Sequence, residues 1–145
     1  MADMTLPVFD RTLARTNEWL TDMAVALGTD DPHRAYQALR ATLHALRDRV
    51  TVEEVSQLGA QLPLLLRGAY YEGWHPAHKP LKERHREQFL AHVRVDVPSG
   101  DPEEIVRAAF GVLSRRISAG EIEDVVNMLP AGVRELWPES TGLEN

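Results

Sequence analysis

The sequence contains no cysteine, no long apolar run and no concentrated block of basic residues, and each absence excludes a class of protein. Without cysteine the chain has neither a disulfide framework nor thiolate metal ligands, which is typical of proteins in a reducing compartment. The longest apolar stretch, residues 62–66, is far shorter than the ~20 apolar residues of a membrane-spanning helix. Membrane insertion is therefore not expected.

The charge balance and the first residues of the chain bear on nucleic-acid binding and on secretion. The 145 residues carry a formal net charge of −6, and the 16 basic residues are scattered along the chain. Sequence-independent binding to nucleic acid needs clustered cations that neutralise phosphates, so no nucleic-acid partner is expected. The first ten residues lack the basic patch and apolar run of a signal peptide, which predicts a cytoplasmic protein.

The spacing of apolar residues predicts an all-α fold of about eight short helices. Apolar positions recur three and four residues apart, and no stretch alternates as a half-buried strand would. The first helix is predicted from about residue 9 to residue 27, with Gly28 as its C-terminal cap. We expect its core-facing stripe to consist of Leu13, Thr16, Leu20, Met23 and Leu27.

The same start and stop signals occur twice. Aspartate followed by proline, a strong helix start, occurs at residues 31–32 and again at 101–102. A capping box, in which a hydroxyl group and a glutamate satisfy the first free N–H groups of a helix, occurs at 51–54 and at 118–121. Prolines that cannot continue a helix follow at positions 63 and 130.

These paired signals indicate a tandem duplication of a helical unit of about 70 residues. At an offset of about 67 residues Glu54 aligns with Glu121 and Arg67 with Arg134, in register with the caps and prolines. Chance similarity between two amphipathic helices would match apolar positions only. We predict one all-helical domain, residues 1–145, in which repeats of about 9–72 and 82–137 pack with pseudo-twofold symmetry around a shared core.

Three segments of the chain carry a family pattern. They are Arg15-Thr-Asn-Glu-Trp-Leu20, then residues 39–74 with Gln61-Leu-Pro-Leu-Leu-Leu-Arg-Gly68 and Tyr70-Tyr-Glu-Gly-Trp74, and residues 120–138 ending in Leu136-Trp-Pro138. Together they resemble a bacterial family known as domain of unknown function 2267. The resemblance implies a small all-helical protein, and it brings no established activity and no catalytic residues.

No catalytic or metal-binding set of residues is apparent from the spacing. His75, His78, His85 and His92 are close in sequence, but the last two lie two helical turns, roughly 10 Å, apart, which is too far for one metal ion. The acids Glu53, Glu54, Glu121, Glu123 and Asp124 fall in first helical turns, where they complement the helix dipole. Neither a nucleophile elbow nor a glycine-rich phosphate loop is present. We expect no enzyme, no cofactor and no metal.

The candidate binding residues belong to two groups. Tyr71, Trp74 and His75 surround the loop that joins the repeats, where the tryptophan is either a plug between the two units or an exposed anchor for a partner. Arg67 and Arg134 either donate hydrogen bonds to carbonyl groups of the fold or bind an anion.

The functional expectation is a non-enzymatic interaction or regulatory module that binds a protein partner or itself through the aromatic loop and adjoining helix faces. The alternative is a carrier of a small apolar or anionic ligand in a pocket between the two repeats, with Arg67 or Arg134 as the polar handle.

Overall fold

A computed structural model describes residues 6–139, and within that range the chain forms eight helices and no strand. The all-α prediction is thus confirmed for the described residues. No helix among them is both long enough and apolar enough to cross a bilayer. In chain order the helices are α1 (Pro7–Leu27), α2 (Pro32–Arg47), α3 (Val52–Gly59), α4 (Leu64–Tyr71), α5 (Arg86–Asp96), α6 (Pro102–Arg116), α7 (Ala119–Asn127) and α8 (Ala131–Arg134).

Short polar side chains cap the helices at the predicted positions. The hydroxyl groups of Thr51 and Ser118 accept hydrogen bonds from the backbone N–H groups of Glu54 (3.2 Å) and Glu121 (3.3 Å). The second half of the predicted capping box, a hydrogen bond from the cap N–H to the glutamate carboxyl group, is formed at neither Thr51 nor Ser118, and the N–H of Ser118 donates instead to Gln61 Oε1 (3.2 Å). Two aspartates cap α2 and α6 in the same way, Asp31 accepting from the N–H of His33 and Asp101 from that of Glu103.

The core-facing side of α1 differs from the predicted stripe. Trp19 and Met23 are buried, together with two threonines, whereas Leu13 is 52% exposed. Leu20 and Leu27 are only half-buried. Of the predicted stripe, Thr16 and Met23 are confirmed as buried and Leu20 and Leu27 pack at the edge of the core, whereas Leu13 is wrong. Turning the large Trp19 ring inward removes more apolar area from water than turning Leu13 inward would.

Helices α2 and α6 lie at the centre of the fold. They pack on each other, and each also packs on α1 and α5. Phe110 of α6 is fully buried and stacks on Trp137, with ring centroids 3.8 Å apart. Around this centre α3 packs against α4 and α7, and α8 packs against α5. All eight helices contribute side chains to one continuous apolar core.

Candidate functional site

The predicted aromatic residues form a short chain of rings at the end of α4. Tyr70 is fully buried, and its ring meets the ring of Tyr71 edge-on at 4.9 Å. The Tyr71 ring lies 5.9 Å from that of Trp74, which is half-buried and packs against the core. Trp74 Nε1 is buried without a hydrogen-bond partner among the described residues. His75, the next residue, is exposed.

A buried arginine holds the start of this loop in place. The guanidinium of Arg47 donates to the backbone carbonyl groups of Tyr70 (2.6 Å) and Glu72 (2.8 Å), and its Nε donates to Asp48 (3.1 Å). Further along the loop, the N–H of Leu81 donates to the carbonyl group of Asp48 (2.8 Å). Since charged donors give the stronger hydrogen bonds, the loop is fixed to the C-terminal end of α2 at several points.

Arg67 and Arg134 each donate a hydrogen bond to the backbone carbonyl group of the residue five positions earlier. Arg67 Nη2 donates to the carbonyl group of Leu62 (3.1 Å), and Arg134 Nη2 donates to that of Leu129 (3.0 Å). Arg67 Nε also donates to the carbonyl group of Gly59 at the end of α3 (3.0 Å). Both guanidinium groups therefore satisfy carbonyls that the helix ends leave free, one of the two roles considered for them.

Arg67 also lines a surface groove between α1 and α4 that sequence reasoning missed. The groove has a volume of about 210 Å³, and the hydroxyl of Thr12 joins its two walls by accepting a hydrogen bond from the N–H of Leu65 (3.3 Å). Among residues 6–139, no acidic residue lines it. Its lining consists of Val8, Arg11, Thr12, Arg15, Leu62, Pro63, Leu64 and Arg67.

Large apolar side chains at the same ends of α1 and α4 are also exposed. Leu6, Phe9 and Leu13 recur at helical spacing along the first turns of α1, and each is more than half exposed. Leu64 and Leu65 are 47% and 51% exposed at the start of α4. Scattered exposed leucines are ordinary, but an apolar group of this size at one end of two packed helices is typical of an interaction surface.

The exposed end of α1 has no helical counterpart in α5. Helix α1 has 21 residues and α5 has 11, and aligning Trp19 with Phe89 places the surplus at the N-terminal end of α1. We call this region the docking face and define it as the groove lining together with Leu6, Phe9, Leu13 and Leu65. The extra length of α1 is the signal that could have indicated this face. It becomes visible only when α5 is known to start at Arg86.

A second feature that the sequence did not reveal is a pair of buried glutamates. Glu54 of α3 and Glu121 of α7 are 4% and 8% exposed, and their carboxyl groups meet where these helices pack. Burial raises the pKa of Glu121, and so do its hydrogen bond with Glu54 and the negative charges of Glu54 and Asp124. The spacing of acids within each helix gave no indication of this pair. The signal that could have found it is the equivalent position of the two residues in the predicted repeat.

Three carboxyl groups at this contact are close to one another. Single oxygens of Glu54, Glu121 and Asp124 lie within 4.8 Å of each other, the first two buried and the third exposed. Oxygens this close could surround a hard cation. A proton held between the two glutamates accounts for the buried oxygens without an ion, so we describe the group as a carboxyl pair with an acidic neighbour.

The fold and these surfaces define an all-helical chain in which most buried polar groups bind the chain's own backbone. The chain belongs to the DUF2267 family, described as an uncharacterized conserved protein, whose sequence profile matches residues 16–136. A search of curated proteins found no match to the chain.

Proposed function

We propose that this protein is a small non-enzymatic interaction module that binds an acidic segment of a protein partner on its docking face. The observation that carries the proposal is the combination of exposed apolar side chains and arginines at the start of α1 and α4. Arg11 and Arg15 are exposed, and neither forms an ion pair with another described residue. The cytoplasmic, bacterial setting implied by the sequence belongs to the same proposal.

Charge favours an acidic partner over a second copy of this chain. The groove is lined by three arginines on a protein whose net charge is −6, so its local charge is opposite to that of the whole. In a symmetric dimer formed through this face, like charges would be brought towards each other, which is unfavourable. A segment that carries carboxylates beside apolar side chains complements both parts of the face.

At this groove, size favours a protein segment over a small ligand. Ligand pockets usually have volumes of roughly 300–1,000 Å³ and surround their ligand. The groove is smaller, about 210 Å³, and further exposed apolar side chains, those of Phe9 and Leu13, lie at the same end of α1.

A displayed peptide library tests the proposal. Wild-type protein and an Arg11→Glu/Arg15→Glu variant are each used to select binders from a library of random twelve-residue peptides. Selected peptides should combine acidic and apolar residues, and the double variant should bind them at least tenfold more weakly because two favourable charges become repulsive. Arg84→Glu/Arg94→Glu, which reverses two exposed arginines outside the face, is the matched control and should bind as wild type does.

Several outcomes would count against this function. Peptides that are neutral or basic, or that bind both double variants equally, would show that the arginines do not select the partner. A doubled mass in sedimentation of wild-type protein, lost in Phe9→Ser/Leu13→Ser, would show instead that the face binds a second copy. A co-purified small molecule detected by native mass spectrometry would support the carrier.

We also propose that the two halves are copies related by a pseudo-twofold axis. The support comes from contacts that occur in reciprocal pairs. Arg49 donates to His92 Nδ1 of α5 (3.0 Å), and Arg116 donates to Asp22 of α1 (2.7 Å), a position equivalent to His92 when Trp19 is aligned with Phe89. In the same way the cap residue Thr51 contacts Met128, and the cap residue Ser118 contacts Gln61.

The buried pair Glu54 and Glu121 fits the same symmetry, because equivalent residues meet each other only on a twofold axis. Superposition of residues 9–72 on 82–137 in an experimental structure tests the duplication. Prolines 63 and 130 should coincide, and a different path of either half would contradict the proposal.

A further inference from the structure

The contact between α3 and α7 contains two carboxyl groups that form no ion pair with a basic residue of the described range, and one oxygen of each is buried. Glu54 Oε2 and Glu121 Oε2 are both buried, and neither has a conventional donor as partner among the described residues. A buried oxygen without a donor costs free energy, and two ionised carboxylates in contact would also repel each other. A single proton removes both difficulties, since one carboxylic acid can then donate to the other carboxylate.

The surroundings of the pair do not offer a substitute for that proton. On α7, Asp124 adds a third acidic group one turn beyond Glu121. On α4, the hydroxyl of Tyr70 faces the pair but donates to the carbonyl group of Val55 (2.8 Å). From α6, which also packs on α7, the nearest basic residue in sequence is Arg116, and it turns away to pair with α1.

The backbone N–H groups of the two glutamates are also occupied. The N–H of Glu54 donates to Thr51 and that of Glu121 donates to Ser118. The positive ends of α3 and α7 favour nearby carboxylates, but one proton is still needed where two carboxyl groups touch.

We propose that a proton shared between Glu54 and Glu121 holds α3 against α7, so that this contact between the two halves loosens when the proton is lost. The inference does not depend on the proposed function. It makes the contact a pH-sensitive element of the fold, built from one residue of each half.

The direction of the pH dependence follows from the raised pKa. In the unfolded chain Glu121 has an ordinary carboxyl pKa, whereas burial, Glu54 and Asp124 raise its pKa to about 8 in the fold. The folded protein therefore keeps a proton that the unfolded chain releases. The stabilisation is complete below the unfolded pKa and is lost as the pH rises through about 8, with the folding constant falling up to about tenfold per pH unit in between.

Urea titrations between pH 5 and pH 9 test this for wild type, Glu121→Gln and Glu123→Gln. Glutamine at position 121 has the shape of the protonated acid and can donate to Glu54 at every pH. The folding constant of Glu121→Gln should therefore decline much less with pH than that of wild type. Glu123 is exposed on the same turn of α7, so Glu123→Gln is the matched control and should follow wild type.

A direct measurement on wild-type protein accompanies the variants. Carbon-13 NMR of the glutamate side-chain carboxyl carbons should show one group that titrates well above pH 6, and that signal should disappear in Glu121→Gln or Glu54→Gln. Titration of every glutamate at its ordinary pKa would overturn the proposal. So would equal pH dependence of the folding constant in wild type and Glu121→Gln.

Discussion

Replacing Trp74 by alanine distinguishes the two roles that a tryptophan in the connecting loop could have. The ring is half-buried against the core and lies 5.9 Å from the ring of Tyr71. Truncating a fully buried large aromatic side chain costs about 3–5 kcal/mol, so a half-buried one should cost roughly half as much. That figure already contains the contact with Tyr71, since an aromatic pair contributes about 0.5–1.5 kcal/mol.

The loss of the indole N–H offsets part of this cost. Trp74 Nε1 is buried without a partner, and an unsatisfied buried donor costs about 1–3 kcal/mol. Because the residue is only half-buried, the low end of that cost, about 1 kcal/mol, applies. Alanine removes the donor together with the ring, so we expect Trp74→Ala to lower the free energy of unfolding by about 0.5–1.5 kcal/mol. Trp74→Phe keeps most of the ring packing and removes only the N–H. It should be as stable as wild type or slightly more stable.

Urea denaturation followed by far-ultraviolet circular dichroism measures both variants without relying on the fluorescence of the replaced residue. A loss below about 0.3 kcal/mol in Trp74→Ala would refute the packing argument and favour an exposed anchor. Binding of the selected peptides provides the second measurement. A stable Trp74→Ala protein that no longer binds them would move the interaction surface from the docking face to the aromatic loop.

Three further predictions concern stability. Leu46→Ala, at a fully buried position of α2, should cost about 2–5 kcal/mol in urea titration, and a loss below about 1 kcal/mol would show that the site is not core. Gly59→Ala should cost about 1–3 kcal/mol because the new Cβ would lie 2.8 Å from Tyr71 Oη. A Cβ at position 68 would meet no described atom of a neighbouring segment within 4 Å, so the control Gly68→Ala should be neutral or stabilising by up to about 1 kcal/mol. Burial and the charge of an adjacent arginine lower the pKa of His92, so its contribution is present above the unfolded pKa and is lost as the pH falls through the folded value. His92→Gln should weaken the dependence of the free energy of unfolding on pH below about 6.5. The same dependence in wild type and variant over that pH range would contradict this.

The helices and their ends could be predicted because their causes are local. Aspartate followed by proline starts α2 and α6, and Gly28 ends α1 with a positive φ of 72°, as the sequence indicates. The prolines at 63 and 130 stand immediately before α4 and α8. Each signal acts within one turn of the backbone, so it needs no knowledge of neighbouring helices.

The rotation of α1 about its axis was not predictable in the same way. Both Leu13 and Trp19 could have faced the core, and the choice depends on the shape of the space that α2, α4 and α6 leave. The spacing of apolar residues shows only that α1 has an apolar stripe. Which of two adjoining stripes is buried is decided by packing.

The candidate sites depend still more on tertiary structure. The docking face joins residues 6–15 to residues 62–67, and the carboxyl pair joins Glu54 to Glu121 across the two halves. The sequence by itself determined the helices, their caps and the apolar residues available for the core. Tertiary packing alone decided which polar groups meet, because contacts between residues far apart in the chain depend on how whole helices are placed, and residue spacing within a helix carries no information about that placement.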